Sequence, residues 1–271
     1  LLRGLEFVRS SAHEHKETKS LNEGAMIVDQ ESYDHYIWPE ITSCNFELLD
    51  KAKAFLPSGM KLIPYAYDGI LENAIGIVGY ENLCYMLYDE PGLVEEIFNQ
   101  IGSRIKDYYF KCLEYDTVGA IILNDDWGFN TQTMLAPRDL RKFVFPYYKE
   151  IVKRAHELGK YTILHSCGYY QDIIGDIVDE LKIDARHSYE DNIIPVEQAY
   201  EDLKGKIAVM GGIDVDFLVR SSEEEIYQRA KALLNQTKEV GGYALGSGNS
   251  IPEYVPLSHY LAMVKAAWEE F

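Results

Sequence analysis

His165 and Cys167 stand two residues apart at the end of the apolar run YTILHSCG. On a continuing strand, residues i and i+2 point to the same face. Imidazole nitrogen and thiolate are favoured zinc ligands, and a catalytic zinc takes about three protein ligands while keeping one position open for substrate. The pair is therefore half of a metal site. The structural alternative is a buried cysteine behaving as a small hydrophobe beside a histidine bonded to a backbone carbonyl. NDDWG offers a second group, Asp125 and Asp126, at the end of the run VGAIILN. Alternation sends the two acids to opposite faces, and the one facing a cleft could serve as general acid or base or as a metal ligand. Asp before Gly is also a common turn. ARHSYED adds His187, which titrates near neutrality when unperturbed, shortly before Glu190 and Asp191. A carboxylate there could orient the imidazole or complete a ligand set; a solvated loop is the alternative. Asp68 with Glu72, Trp127, Asp214 and Asn249 also sit in or beyond such run ends and suit substrate binding. Trp127, Tyr169 and Tyr170 could wall a pocket or belong to the core.

These groups share one placement, which points to the elements that carry them. From Met60 onward, short apolar runs alternate with segments of helical period: KLIPYAY, VGAIILN, YTILHS, IDARHSY, KIAVMGG and GYALGS are the expected strands. In a β/α barrel the reactive residues lie at the carboxyl ends of parallel strands, where these polar residues recur. Leu93, Ile97, Ile101 and Ile105 repeat at four-residue spacing after Pro91, which predicts an amphipathic outer helix. A second helix is expected from Pro137 to Leu158, broken or kinked near Pro146 and stopped by Gly159, and a third is opened by a capping box at Ser221 or Ser222. The fold class expected is α/β, a β/α (TIM) barrel spanning residues 1–271 as one domain. Residues 60–271 would supply six βα units. Residues 1–59 read as a hairpin-like insertion or lid, with AMIVDQ a short strand, YDHYIWPEI an extended aromatic segment, and His13 and His15 on a polar stretch. An eight-stranded barrel would place its first strands upstream of Leu1. No GxGxxG follows any strand, so a dinucleotide-binding open sheet has no support.

The charge excludes some functions. With 44 acidic and 26 basic residues the formal net charge is -18, which disfavours binding to phosphate backbones. The four cysteines are scattered without a CxxC pair, as in a reduced, cytoplasmic protein. No apolar run approaches the roughly 20 residues of a membrane span, and no leader peptide is visible.

Taken in order, GYENLCYMLYDEPGLVEEI, DDWG with APRDLRKFVFPYYKEIV, LHSCG, GGID and GGYALGSGNSIP resemble the uroporphyrinogen decarboxylase superfamily, including its cobalamin-dependent methyltransferase branch. The resemblance implies a β/α barrel whose opening strands lie before Leu1. Methyltransferase members carry a His-x-Cys pair, matched by His165 and Cys167, and a later cysteine as a further zinc ligand where this chain has Asn249. Decarboxylase members carry a histidine in that same segment, and an arginine-rich motif and an aspartate nearer the amino terminus. An amide is a poor zinc ligand beside a thiolate, so a metal here would recruit Asp125, Asp126, His187 or Glu190. The resemblance implies methyl transfer between a small methylated substrate and a corrinoid protein or thiol, with zinc as Lewis acid and the corrinoid carried by a partner protein; a homo-oligomer is a further expectation. Metal-independent uroporphyrinogen decarboxylation, a porphyrin lyase reaction, is the alternative; a non-catalytic barrel binding a corrinoid complex is a third.

Overall fold

The computed structural model describes residues 5–7, 21–22 and 24–268. His13 and His15 lie outside the described residues. The chain separates into two compact units, residues 1–126 with 135–162, and residues 127–134 with 163–271.

In the first unit, α1 (Gln30–His35), α2 (Glu47–Lys51), α3 (Ile70–Val78), α4 (Tyr80–Asp89), α5 (Pro91–Leu113), α6 (Pro137–Phe143) and α7 (Phe145–Glu157) accompany β1 (Ala120–Asn124). α5 starts on Pro91 and buries Leu93, Ile97, Ile101 and Ile105 as one stripe, the face that its four-residue spacing predicts. The helical chain breaks at Val144 between α6 and α7, with Pro146 in the first turn of α7, and ends before Gly159 at φ +66°. KLIPYAY is present as parallel bridges, Leu62 to Val118 and Tyr65 to Ile122, beside β1.

AMIVDQ is not a strand. The Met26 and Ile27 N–H groups both donate to the Ile77 carbonyl, and Asp29 then caps α1 through the Ser32 N–H at 2.8 Å. The cap turns the chain into helix where the apolar residues alone suggested extension. Among the described residues between 21 and 59 no strand forms, so the expected hairpin is replaced by short helices and by Tyr33 and Tyr36 packed edge-on against Trp38.

The remaining elements are β2 (Tyr161–His165), β3 (Ala185–His187), α8 (Val196–Leu203), β4 (Ala208–Met210), α9 (Val215–Arg220), α10 (Glu223–Thr237), β5 (Tyr243–Ala244) and α11 (Leu257–Trp268). Of the two serines at the start of α10, Ser222 forms the capping box, with Glu225. β2, β3, β4 and β5 pair in parallel: His165 lies opposite His187, Ala185 opposite Ala208 and Val209 opposite Tyr243. The sheet runs β1-β2-β3-β4-β5. Sequential parallel strands joined through helices give an α/β fold of the β/α-barrel kind, and all the strands point their carboxyl ends the same way. No helix among the described residues is long and apolar enough to cross a membrane.

Candidate active site

The ends of β2 and β3 place His165 beside His187. Their Nδ1 atoms lie 2.7 Å apart and the rings stack with centroids at 4.9 Å. One of these nitrogens must donate and the other accept, and the surroundings decide which. His187 Nε2 lies 3.0 Å from the Ser247 carbonyl, which can only accept, so Nε2 carries the proton. Burial pushes the His187 pKa down to about 4, with the Ser247 carbonyl opposing and His165 and Arg186 adding to the fall. A neutral His187 protonated at Nε2 has a bare Nδ1, which accepts from His165 Nδ1–H. In the neutral form of His165 the lone pair then lies on Nε2, 3.7 Å from Cys167 Sγ. This is the tautomer a metal ligand requires, set by a hydrogen bond on the opposite ring nitrogen.

Cys167 is addressed by two further groups: the Asn249 amide donates to Sγ at 3.3 Å and the Ser188 hydroxyl lies 3.8 Å away. Asn249 is thus a donor to sulfur. Two glycines make the arrangement sterically accessible. Gly168, at φ +80°, passes so close to Gly128 that a Cβ on it would meet Gly128 backbone at 2.4 Å, which packs the DDWG and HSCG loops together. Gly211, at φ +73°, leaves room for the His187 ring and the Ser247 carbonyl, both of which a Cβ would meet below 3 Å.

The Trp127 N–H donates to Ser166 Oγ at 3.0 Å, so the Asp126–Trp127 peptide sits against the residue between His165 and Cys167. Asp126, His165 and Cys167 each offer one ligand atom, and these atoms lie within 4.8 Å of one another. Carboxylate oxygen, imidazole nitrogen and thiolate sulfur form a donor set suited to zinc. Of the four groups proposed from sequence to complete the pair, Asp126 stands with it.

Asp125 is fully buried. Its carboxylate accepts from the Leu71 and Glu72 N–H groups at 3.1 and 3.0 Å and from the Tyr148 hydroxyl at 2.9 Å, holding the first turn of α3. Its geometry is that of a helix anchor. Glu72, which it anchors, has its pKa raised to about 9, first by burial and then by the charges of Asp125, Asp126 and Asp68. Glu72 is therefore a neutral carboxylic acid at physiological pH. Trp127 is fully buried and is a core residue of its loop, so it does not wall an open pocket.

Glu190 accepts from the Gly168 N–H at 3.4 Å and lines a cavity of about 760 Å³ together with Asp191, Asp214, Asn249 and Tyr254. Asp214 caps α9 through the Asp216 and Phe217 N–H groups and accepts from the Asp191 N–H. Asp191 forms a bidentate pair with Arg229, which also holds Glu197. Of the acids lining this cavity, Asp191 is thus committed to Arg229 and Asp214 to the local backbone. Sequence reasoning passed over Ser166, Ser188, Arg186 and Ser247. Ser247 contributes its backbone carbonyl, for which residue type gives no signal, while the buried charge of Arg186 in the centre of a strand was a visible anomaly.

The chain was compared with known proteins. Residues 66–269 match the family model described as Uroporphyrinogen decarboxylase (URO-D). A uroporphyrinogen decarboxylase of Chlorobaculum parvum is 24% identical over 242 residues, covering 87% of this chain and 65% of that protein. One of Chlorobium limicola is 25% identical over 272 residues, covering 94% of this chain and 73% of that protein. The present chain thus spans somewhat under two thirds of the length of the first of these relatives. Among solved structures, a methyltransferase from Methanosarcina mazei superposes with a TM-score of 0.66 at 18% identity, covering 93% of this chain and 69% of that one; this likeness is one of fold. Since the matched residues make up most of the sequence and hold the whole of the strand-end cluster, the chain belongs to the uroporphyrinogen decarboxylase family.

Proposed function

We propose that the protein is a zinc-dependent methyltransferase, moving a methyl group between a small methylated substrate and a corrinoid protein or thiol. The observation that carries this reading is the Asp126, His165 and Cys167 donor set with the His165 tautomer held by His187 and Ser247. Bound zinc would act as a Lewis acid, holding a substrate sulfur as thiolate at neutral pH. The protein residues do the rest. His165, Cys167 and Asp126 would hold the metal. The Asn249 amide stabilises negative charge on Cys167 sulfur, and the neutral carboxyl of Glu72 is the side chain able to give up a proton when a leaving group needs one. The corrinoid would supply a methyl group that a thiolate can accept.

The test is methylcob(III)alamin with a panel of thiols, followed by the absorbance of cob(I)alamin. Expected is thiol methylation that requires zinc and is lost in Cys167→Ser. Decarboxylation is the second reading, favoured by the names of the two curated relatives and by the acids around Glu72. Conversion of uroporphyrinogen to coproporphyrinogen by metal-free protein, with no thiol methylation, would establish it instead.

A further inference from the structure

Arg186 lies at the centre of β3, fully buried, and its guanidinium makes no ion pair among the described residues. A buried cation without an anionic partner is costly, so the contacts it does make show its role. Nη1 donates to the Ser188 carbonyl at 2.6 Å and Nη2 to the Ser166 carbonyl at 2.9 Å. The guanidinium lies 3.7 Å from the Tyr170 ring and 4.8 Å from the Tyr189 ring, so aromatic faces supply part of the missing counter-charge. The β2–β3 register runs to His165 opposite His187, and beyond it the Ser188 N–H donates to the Ser166 carbonyl at 3.4 Å. Ser166 and Ser188 are the next residues on each strand, and there Arg186 bridges the two carbonyls.

Ser166 is a junction for the candidate metal site. It separates His165 from Cys167, its N–H donates to the His187 carbonyl at 2.8 Å, and its hydroxyl accepts from the Trp127 N–H, the residue after Asp126. Ser188 follows His187 and presents its hydroxyl to Cys167. The sequence neighbours of all three donor residues, and of the histidine that sets the tautomer, therefore meet at the two carbonyls held by one guanidinium. Strand alternation sends Arg186 away from the face carrying His187, so it touches neither metal nor substrate.

We infer that Arg186 is the positioning residue that sets the spacing of Asp126, His165 and Cys167; this rests on the metal reading above. Its planar fork carries two donors at a fixed separation, whereas the single ammonium of lysine satisfies one carbonyl and lets the other drift.

The test is Co2+ titration of the whole chain, read by the thiolate-to-cobalt charge-transfer band and the d–d bands, in wild type, Arg186→Lys and Arg186→Met. The folded state of each is checked by circular dichroism. Expected for Arg186→Lys is native secondary structure, at least tenfold weaker Co2+ binding and a reduced charge-transfer band. A folded variant that binds Co2+ with the wild-type Kd and spectrum overturns the inference. A measurement on wild type keeps the inference testable if the variants do not fold: nitrogen NMR of the arginine side chains should show separate, slowly exchanging Nη signals for Arg186. A single averaged signal overturns the clamp. If wild type takes up no Co2+, the metal reading fails, and the Arg186 signals still decide whether the clamp exists.

Discussion

His187 works through its neighbour. Its Nδ1 accepts the His165 proton because its Nε2 proton is committed to Ser247, and burial keeps the ring uncharged. Replacing a partner of this kind costs 10–100-fold in metal affinity in other sites, so His187→Phe is expected to weaken zinc binding by roughly tenfold or more, measured by competition with a chelator; unchanged affinity would sink the tautomer argument. The pH sign follows. A histidine pKa lowered from 6.5 to about 4 means the native state favours the neutral ring, so the stability it contributes is present above about pH 6.5 and lost as pH falls toward 4. Glu72 behaves in the opposite sense. Its pKa is raised from 4.5 to about 9, so the native state favours the protonated form, and the carboxyl becomes increasingly destabilising as pH rises between those values. Glu72→Gln is expected to gain thermal stability over wild type progressively from pH 5 to 9, seen in parallel melting curves. A gap independent of pH would show that Glu72 is not held neutral.

At the scale of elements, the site is assembled where loops after strands come within backbone contact. Gly168→Ala would put a Cβ into Gly128 backbone and hold a non-glycine residue at positive φ. The backbone conformation alone costs about 1–2 kcal/mol, so the variant is expected to lose at least that much stability by denaturant titration and to lose zinc as the two loops separate. Wild-type stability with retained zinc would show that the close approach is unnecessary. This scale also shows what could be read beforehand. Period and polarity found the strands and put His165, Cys167, Asp126 and His187 at their ends, because alternation is a local property. The role of Asp125 was hidden because its N–H partners, Leu71 and Glu72, lie more than fifty residues away in sequence. The helix that starts at the end of AMIVDQ, Gln30–His35, is invisible to the apolar run because it depends on a single cap, Asp29 with Ser32. Arg186 went unused because a charged residue in a strand suggests an outward face, whereas here it lies buried between two tyrosines.

At the scale of the whole molecule, family membership and fold fit both decarboxylation and methyl transfer, so the reaction must be argued from the donor set. The net charge of -18 suits a partner that presents basic or neutral surface and disfavours nucleic acid. In the proposed zinc site His165, Cys167 and Asp126 are the protein ligands, with Asn249 outside the donor set. Zinc K-edge X-ray absorption on the purified chain tests it most directly. Expected is about one zinc per chain with a single sulfur near 2.3 Å and the remaining ligands nitrogen or oxygen near 2.0–2.2 Å, the sulfur being lost in Cys167→Ser. Protein without stoichiometric zinc after loading, or a spectrum unchanged by Cys167→Ser, would contradict it.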